Sequence, residues 1–439
     1  MEFGKHLGKG LWGFADKVLP AFYGVAFMFL VIRVLPSDEY GAYFLFQTIF
    51  TLVASLAFSL SIQPMLKYVA EGVDAKSISS TAMTMMILFL IITVGLLLLF
   101  SKPVTQLLDA KNAEKVRSLL MYLPFMFAVS IYRTILSGLL QAKLKIKELF
   151  FTDAMYFLSS FILVIIAKHF GILKDAVTVI NIGLVSSFLA SIVAFFLSRQ
   201  IAIPVVAWNK GQAKKIFNYG KYGLGGTVGN VVQTQFDTFF ISAYGGVNGV
   251  AYYGAAKNFI RVYDMYSQVI QMLVLPASSM LQGRKEEHKL PVLVEKSICF
   301  SLYAILPVVI IFEIFPIQLF HVVYGDRYDE SIHLFRVLGL IGFVIPFGGV
   351  ISSVIFGIGK TGVGFIMSLV SLGISSAVYY FFGSTWSVQG IVWGVVTIYV
   401  IVGSITLLIL KRYVPFKLGS IFKRTSDIIA FFKKLYFFS

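Results

Sequence analysis

Five polar residues stand out in a sequence otherwise dominated by apolar side chains. Lys257, Arg261, Asp264, Gln268 and Gln271 follow one another at intervals of 4, 3, 4 and 3, which puts all five on one face of a helix. An ionised side chain at the centre of a membrane helix costs about 2.5 to 3.5 kcal/mol, so this stripe must meet water, a partner or cargo. The chemistry open to it is recognition of a charged solute, with Asp264 free to act in ion coupling or as a counter-ion. A second face reads Gly226, Asn230, Gln233 and Asp237. Counting back along the chain from each side of the turn "YGGVNGVAY" puts Asp237 and Lys257 at similar depth, so the two can pair. Near the N-terminus Gly13, Asp16, Pro20 and Gly24 share a side, with Lys17 adjacent, and Arg133 sits in another apolar run. Thr48, Thr51 and Ser55 make a milder polar stripe in the first half. Arg336, Lys221 and Glu313 fall near helix ends, where snorkelling or pairing between helices accounts for them.

Soluble-enzyme chemistry finds little footing. "VIFGIGKTG", Val354 to Gly362, contains GKT, but the glycine that a phosphate-binding loop needs five residues before Gly359 is replaced by Val354. The five histidines, His6, His169, His288, His321 and His333, are scattered, and with no Cys/His cluster no zinc site is expected. Cys299, the single cysteine, cannot form an internal disulfide. Neither a metal nor a cofactor is implied.

The elements that must position these residues are membrane helices. The 439-residue chain is 58% hydrophobic and 13% charged, and apolar segments of about 20 residues recur, each long enough to cross about 30 Å of hydrocarbon. The pattern predicts an all-α polytopic protein with twelve spans: 11–32, 41–65, 78–100, 118–140, 148–167, 176–198, 219–243, 251–280, 293–316, 332–356, 362–382 and 388–410. With the N-terminus inside, 22 lysines and arginines fall on the cytoplasmic side and 8 on the outer side. That bias puts both termini in the cytoplasm. The net charge of +16 is then a topology signal and a means of contact with anionic lipid rather than a sign of nucleic-acid binding. The first span begins near Lys5 and Lys9, but Asp16, Lys17 and Pro20 interrupt it and no cleavage site follows, so it reads as retained.

A polar connector, Ser198 to Phe217, divides the spans six and six. Gly8-Lys9 and Gly220-Lys221 lie 212 apart, and "YGA" recurs at Tyr40 to Ala42 and Tyr253 to Ala255, 213 apart. The shared offset implies a duplicated six-helix bundle, 1–205 and 206–410, whose halves share one orientation and enclose a cleft for cargo. Residues 411–439 alternate basic and aromatic side chains, the composition of an amphipathic helix on the inner leaflet.

These landmarks resemble the polysaccharide transporters, or Wzx-type oligosaccharide flippases, of the superfamily that also holds multidrug antiporters and the lipid II flippase. "RVLPSDEYGAYFL" is similar to the end of that family's first span, and "FDTFFISAYGGVNGVAYYGAA" to its seventh-to-eighth turn, with Asp237 in the acidic place. "YGDRYDESIHLFRVLGL" and "FGIGKTG" resemble the approach to its tenth span and the turn after it. The resemblance implies two pseudo-symmetric bundles in the cytoplasmic membrane and alternating access, moving a polyprenyl-pyrophosphate-linked oligosaccharide between leaflets without enzymatic chemistry. It admits a glycan polymerase or chain-length regulator as a partner. Lys257, Arg261, Asp264, Gln268, Asn230, Gln233, Lys17 and Arg133 become candidate cavity residues, with Asp264, Asp237 and Asp16 as coupling groups or counter-ions. The cations suit an anionic pyrophosphate. A cation antiporter of the same superfamily is the competing reading, and a membrane-embedded glycan polymerase a weaker one, since no outer loop exceeds about twenty residues.

Overall fold

A computed structural model describes residues 12–426 apart from positions 13, 14, 17 and 21, and leaves undescribed the side chains of a few further helical residues, Asn230 and Gln233 among them. Every regular element among the described residues is helical. In chain order these are α1 (Val18–Ile32), α2 (Ser37–Ala70), α3 (Ala75–Leu99), α4 (Ser101–Leu108), α5 (Ala113–Ala142), α6 (Ile146–His169), α7 (Ala176–Ser198), α8 (Lys210–Gly283), α9 (Glu287–Ile314), α10 (Pro316–Tyr324), α11 (Glu330–Phe343), α12 (Ile345–Gly357), α13 (Thr361–Tyr413) and α14 (Leu418–Lys423). α3 shows what kind of solvent the helices meet. Leu88, Ile91, Ile92, Leu96 and Leu99 lie exposed while Ser79, Ser80, Thr81 and Ala82 are buried. Large apolar groups outside and small ones inside is the inverse of a soluble helix, and suits packing within lipid.

Among the described residues seven helices are long and apolar enough to cross a membrane, or eight if the bent pair α11 and α12 is one span. That is fewer than the twelve expected over the whole chain. α8 carries the polar stripe, and α13 holds two of the expected spans in one helix that folds back on itself. The expected span 332–356 is bent by 44° between α11 and α12.

Two elements reverse direction with almost no loop. In α8, Lys257 touches Asp237 at 2.8 Å, although twenty residues of straight helix would span about 30 Å. The break is one residue, Gly246, at φ 61 and ψ −167. The left-handed region there favours glycine, and a Cβ would come 2.8 Å from the Asp109 carboxylate. Asp109 secures the turn by accepting the N–H of Val247 at 2.7 Å while it caps its own loop through Lys111 and Asn112. α13 reverses at Trp386 and Ser387, which brings Gly394 against the Tyr379 ring. The short outer turn expected between 243 and 251 is thus reduced to a single-residue hinge.

By contact the chain forms two compact units. One comprises Met1–Val231, Ser242–Ala251 and Val323–Arg327, the other Val232–Ile241, Tyr252–Val322 and Tyr328–Ser439. In the first, α2 carries a π-type turn at Phe58–Ile62 just before Pro64, whose ring has no N–H to continue the ladder. The Gly41 backbone packs so tightly on the Val247 carbonyl that a Cβ would lie 1.7 Å from its oxygen. The second unit is built on Val294, Ile298, Cys299, Val350, Ile351, Val354 and Leu410. Cys299 is a buried core residue and takes part in no disulfide.

Over the described residues the tail packs one face on the protein and leaves Leu418 and Phe422 exposed. Phe416 and Ile421 are buried in that same core, and Arg424 donates two hydrogen bonds to the buried Glu295 carboxylate, at 2.8 and 3.1 Å. α14 therefore packs on the protein. Residues 427–439 lie outside the described residues.

Candidate charged sites within the helices

In the second unit the stripe predicted on α8 divides into two parts. Lys257 turns toward Asp237 and gives its three protons to Oδ1 and Oδ2, each at 2.8 Å, and to the Thr234 carbonyl at 2.7 Å. The Thr238 hydroxyl oxygen stands 3.5 Å from the same nitrogen. Asp237 is equally occupied, since it also accepts the Thr238 N–H and hydroxyl and the hydroxyl of Tyr253. Both Asp237 and Tyr253 are buried. Tyr379 and Tyr399 of α13 come within electrostatic reach of Asp237, and Tyr399 also of Asp264. The pairing expected from counting back from the turn is present, but the tyrosines that frame it were missed. Tyr253 was within reach of a periodicity argument, because it lies one helical turn from Lys257 and two from Arg261.

The rest of the stripe is open. Arg261, Asp264, Gln268 and Gln271 are all exposed, and Asp264 lies within electrostatic reach of both Lys257 and Arg261. Among the described residues Arg261 has neither an ion-pair nor a hydrogen-bond partner.

The first unit holds Arg133, on α5, in different surroundings. Its guanidinium carbon sits 4.4 Å over the Tyr156 ring of α6, a cation–π contact worth roughly 1 kcal/mol. Its Nη1 is buried with no hydrogen-bond partner among the described residues. Phe157 packs on Tyr23 of α1, whose hydroxyl bonds the Ser160 hydroxyl at 2.6 Å. Asp16 is also buried in this unit, whereas Lys17 and the Asn230 and Gln233 side chains lie outside the described residues.

Other sequence features resolve as structure. Gly359 (φ 77) and Lys360 close the turn between α12 and α13 by donating their N–H groups to Phe356 and Ile355, and the Lys360 ammonium rests against the Tyr413 ring. No phosphate cradle forms there. Arg336 comes within electrostatic reach of Glu313, and with His333, Gln389 and Trp393 it lines a cavity of about 360 Å3 in the second unit. No group of three or more potential metal ligands occurs among the described residues.

Charged side chains inside long apolar helices, with every regular element among the described residues helical, define a multi-span membrane protein. Solved structures agree on the fold. The lipid II flippase MurJ in an inward closed conformation superposes with TM-score 0.74 at 15% identity, over 99% of this chain and 93% of that one. A multidrug-resistance MATE transporter in an inward-facing conformation gives 0.73 at 15%, over 94% and 99%. The chain belongs to the family described as "Polysaccharide biosynthesis protein", whose model matches residues 30–333, and the expected likeness to the flippases holds. A putative O-antigen transporter of Shigella flexneri is 25% identical over 72% of this chain and 76% of its own length. An uncharacterized membrane protein of Methanocaldococcus jannaschii is 22% identical, and the chain spans 32% of its length.

Proposed function

We propose that this protein is a flippase that carries a polyprenyl-pyrophosphate-linked oligosaccharide across the cytoplasmic membrane by alternating access, with both termini in the cytoplasm. The observation that carries the reading is Arg133, whose guanidinium rests on the Tyr156 ring with a buried Nη1 that has no hydrogen-bond partner among the described residues; in the other unit Arg261 makes no ion pair or hydrogen bond among them, with Asp264 in electrostatic reach. A cation within an apolar helix is costly, and an anionic phosphate is a fitting partner for either arginine, because the planar guanidinium can donate two N–H groups to its oxygens. Asp264, Gln268 and Gln271 then offer hydrogen-bond partners to sugar hydroxyls. Family membership and the printed name of the Shigella relative support a glycan cargo, and the bias of lysine and arginine supports the orientation.

The test is flipping of a fluorescent polyprenyl-pyrophosphate glycan in proteoliposomes. Arg133→Gln and Arg261→Gln should each lower the initial rate at least tenfold, corresponding to about 1.4 kcal/mol of lost interaction, with reconstitution unchanged. Wild-type rates in both variants would overturn the reading. Because a multidrug-resistance MATE transporter shares the fold, ethidium transport is measured in parallel. Transport of ethidium and not of the glycan would favour the antiporter, with Asp264 as the cargo's counter-ion.

A further inference from the structure

The oxygens that surround the Lys257 ammonium have the make-up of a site for a monovalent cation. They are both oxygens of one carboxylate, a main-chain carbonyl and a hydroxyl, at 2.8, 2.8, 2.7 and 3.5 Å from the nitrogen. Hard cations take ligands of this kind. We propose that Lys257 is a tethered cation, its ammonium filling an oxygen shell in the second unit that would otherwise take a small monovalent cation from solution.

Three features of the surroundings support this. The shell is held by groups other than the lysine: the Tyr253 hydroxyl donates to Oδ2, and the Thr238 N–H and hydroxyl donate to Oδ1. Asp237 is buried, with its side chain 6% exposed, so it remains aimed at the same point when the lysine is shortened. The shell has one formal negative charge, enough to balance one positive charge and not two. The ammonium meets three acceptors with its three protons, which leaves the lysine no donor for cargo while it stays in place. Asp237 is therefore a counter-ion to a built-in cation, and the part in ion coupling that its type suggested is closed to it while Lys257 is paired. Asp264, exposed on the same helix, is left as the acid that a solution ion can reach.

The inference draws on the transporter reading only for its bearing on ion coupling, and its test uses no cargo. Thermal unfolding of the full-length protein in detergent is followed in lithium, sodium, potassium or methylammonium chloride, against choline chloride at equal ionic strength. For Lys257→Ala, at least one small cation should raise Tm by about 2–4 °C in a saturable manner. Choline should not, the wild type should not respond, and Asp237→Asn combined with Lys257→Ala should lose the response. If Lys257→Ala folds only when purified in a small cation, the proposal is also supported. A Tm of Lys257→Ala that is indifferent to every cation would overturn it, as would an equal response in the wild type. Failure of Lys257→Ala to fold in any salt, while the double variant folds, would overturn it too, because the buried carboxylate would then have found no replacement. Flipping by the wild type plays no part in these outcomes.

Discussion

The first unit keeps an arginine whose hydrogen-bonding capacity is partly unused, and the second keeps a lysine whose capacity is saturated. Arg133 rests on an aromatic face and leaves a buried nitrogen without an acceptor. Lys257 has an oxygen acceptor for every proton. Both are cations inside long helices of this membrane protein. What separates them is the count of acceptors around each head group. A buried cation with all its donors met belongs to the protein's own framework, while one with donors to spare is available to something that arrives from outside.

The comparison is tested most severely by removing the saturated pair's acid. Asp237→Ala should leave the Lys257 ammonium half-buried without its carboxylate and destabilise the fold by about 3 kcal/mol or more, seen as a lower Tm or loss of the folded protein. A variant as stable as the wild type would mean the pair is not structural. Next in size comes the arginine. Arg133→Gln should change stability by no more than about 1 kcal/mol, the worth of its ring contact, even as flipping falls. Unfolding as severe as that of Asp237→Ala would erase the distinction between the two sites.

The smallest effect is a control for acids that carry no cargo role. Burial works against the charge of Asp109, but the Asn112 side-chain amide and the N–H groups of Val247, Asn112 and Lys111 outweigh it and hold the carboxyl below its usual range. A depressed value gives stability that is present above the unfolded-state value, near 4, and lost as pH falls through the folded one. Acid should therefore loosen the turn at Gly246. Amide hydrogen exchange of Val247, followed as pH is lowered below about 4, should lose its protection and approach the intrinsic rate in the wild type, and Asp109→Asn should show the weaker protection already at neutral pH.

Much of this was legible in the sequence. Long apolar runs marked an all-helical membrane protein, though not the number of spans, and the intervals between Lys257, Arg261, Asp264 and Gln268 put them on one face because helical periodicity is a local property. The depth of Asp237 against Lys257 followed from counting along two adjoining segments. The aromatic support of Arg133 did not, because Tyr156 comes from another helix and nothing in either segment marks the meeting. The docking of α14 was hidden for a related reason. Phe416 and Ile421 make an apolar face that composition cannot assign to lipid or to protein, and the deciding partner, Glu295, lies more than a hundred residues away.

The reversal at Gly246 also governs how the sidedness of the hairpin can be mapped. Helix runs up to that glycine and resumes at once after it, so there is no slack chain in which to place an epitope, a protease site or a reporter fusion. An insertion there would pull Val247 away from Asp109 and report on a damaged molecule. Single-atom labels suit the site better. Asn248 is exposed and takes a cysteine without lengthening the chain, while the native Cys299 is buried and stays silent toward impermeant thiol reagents.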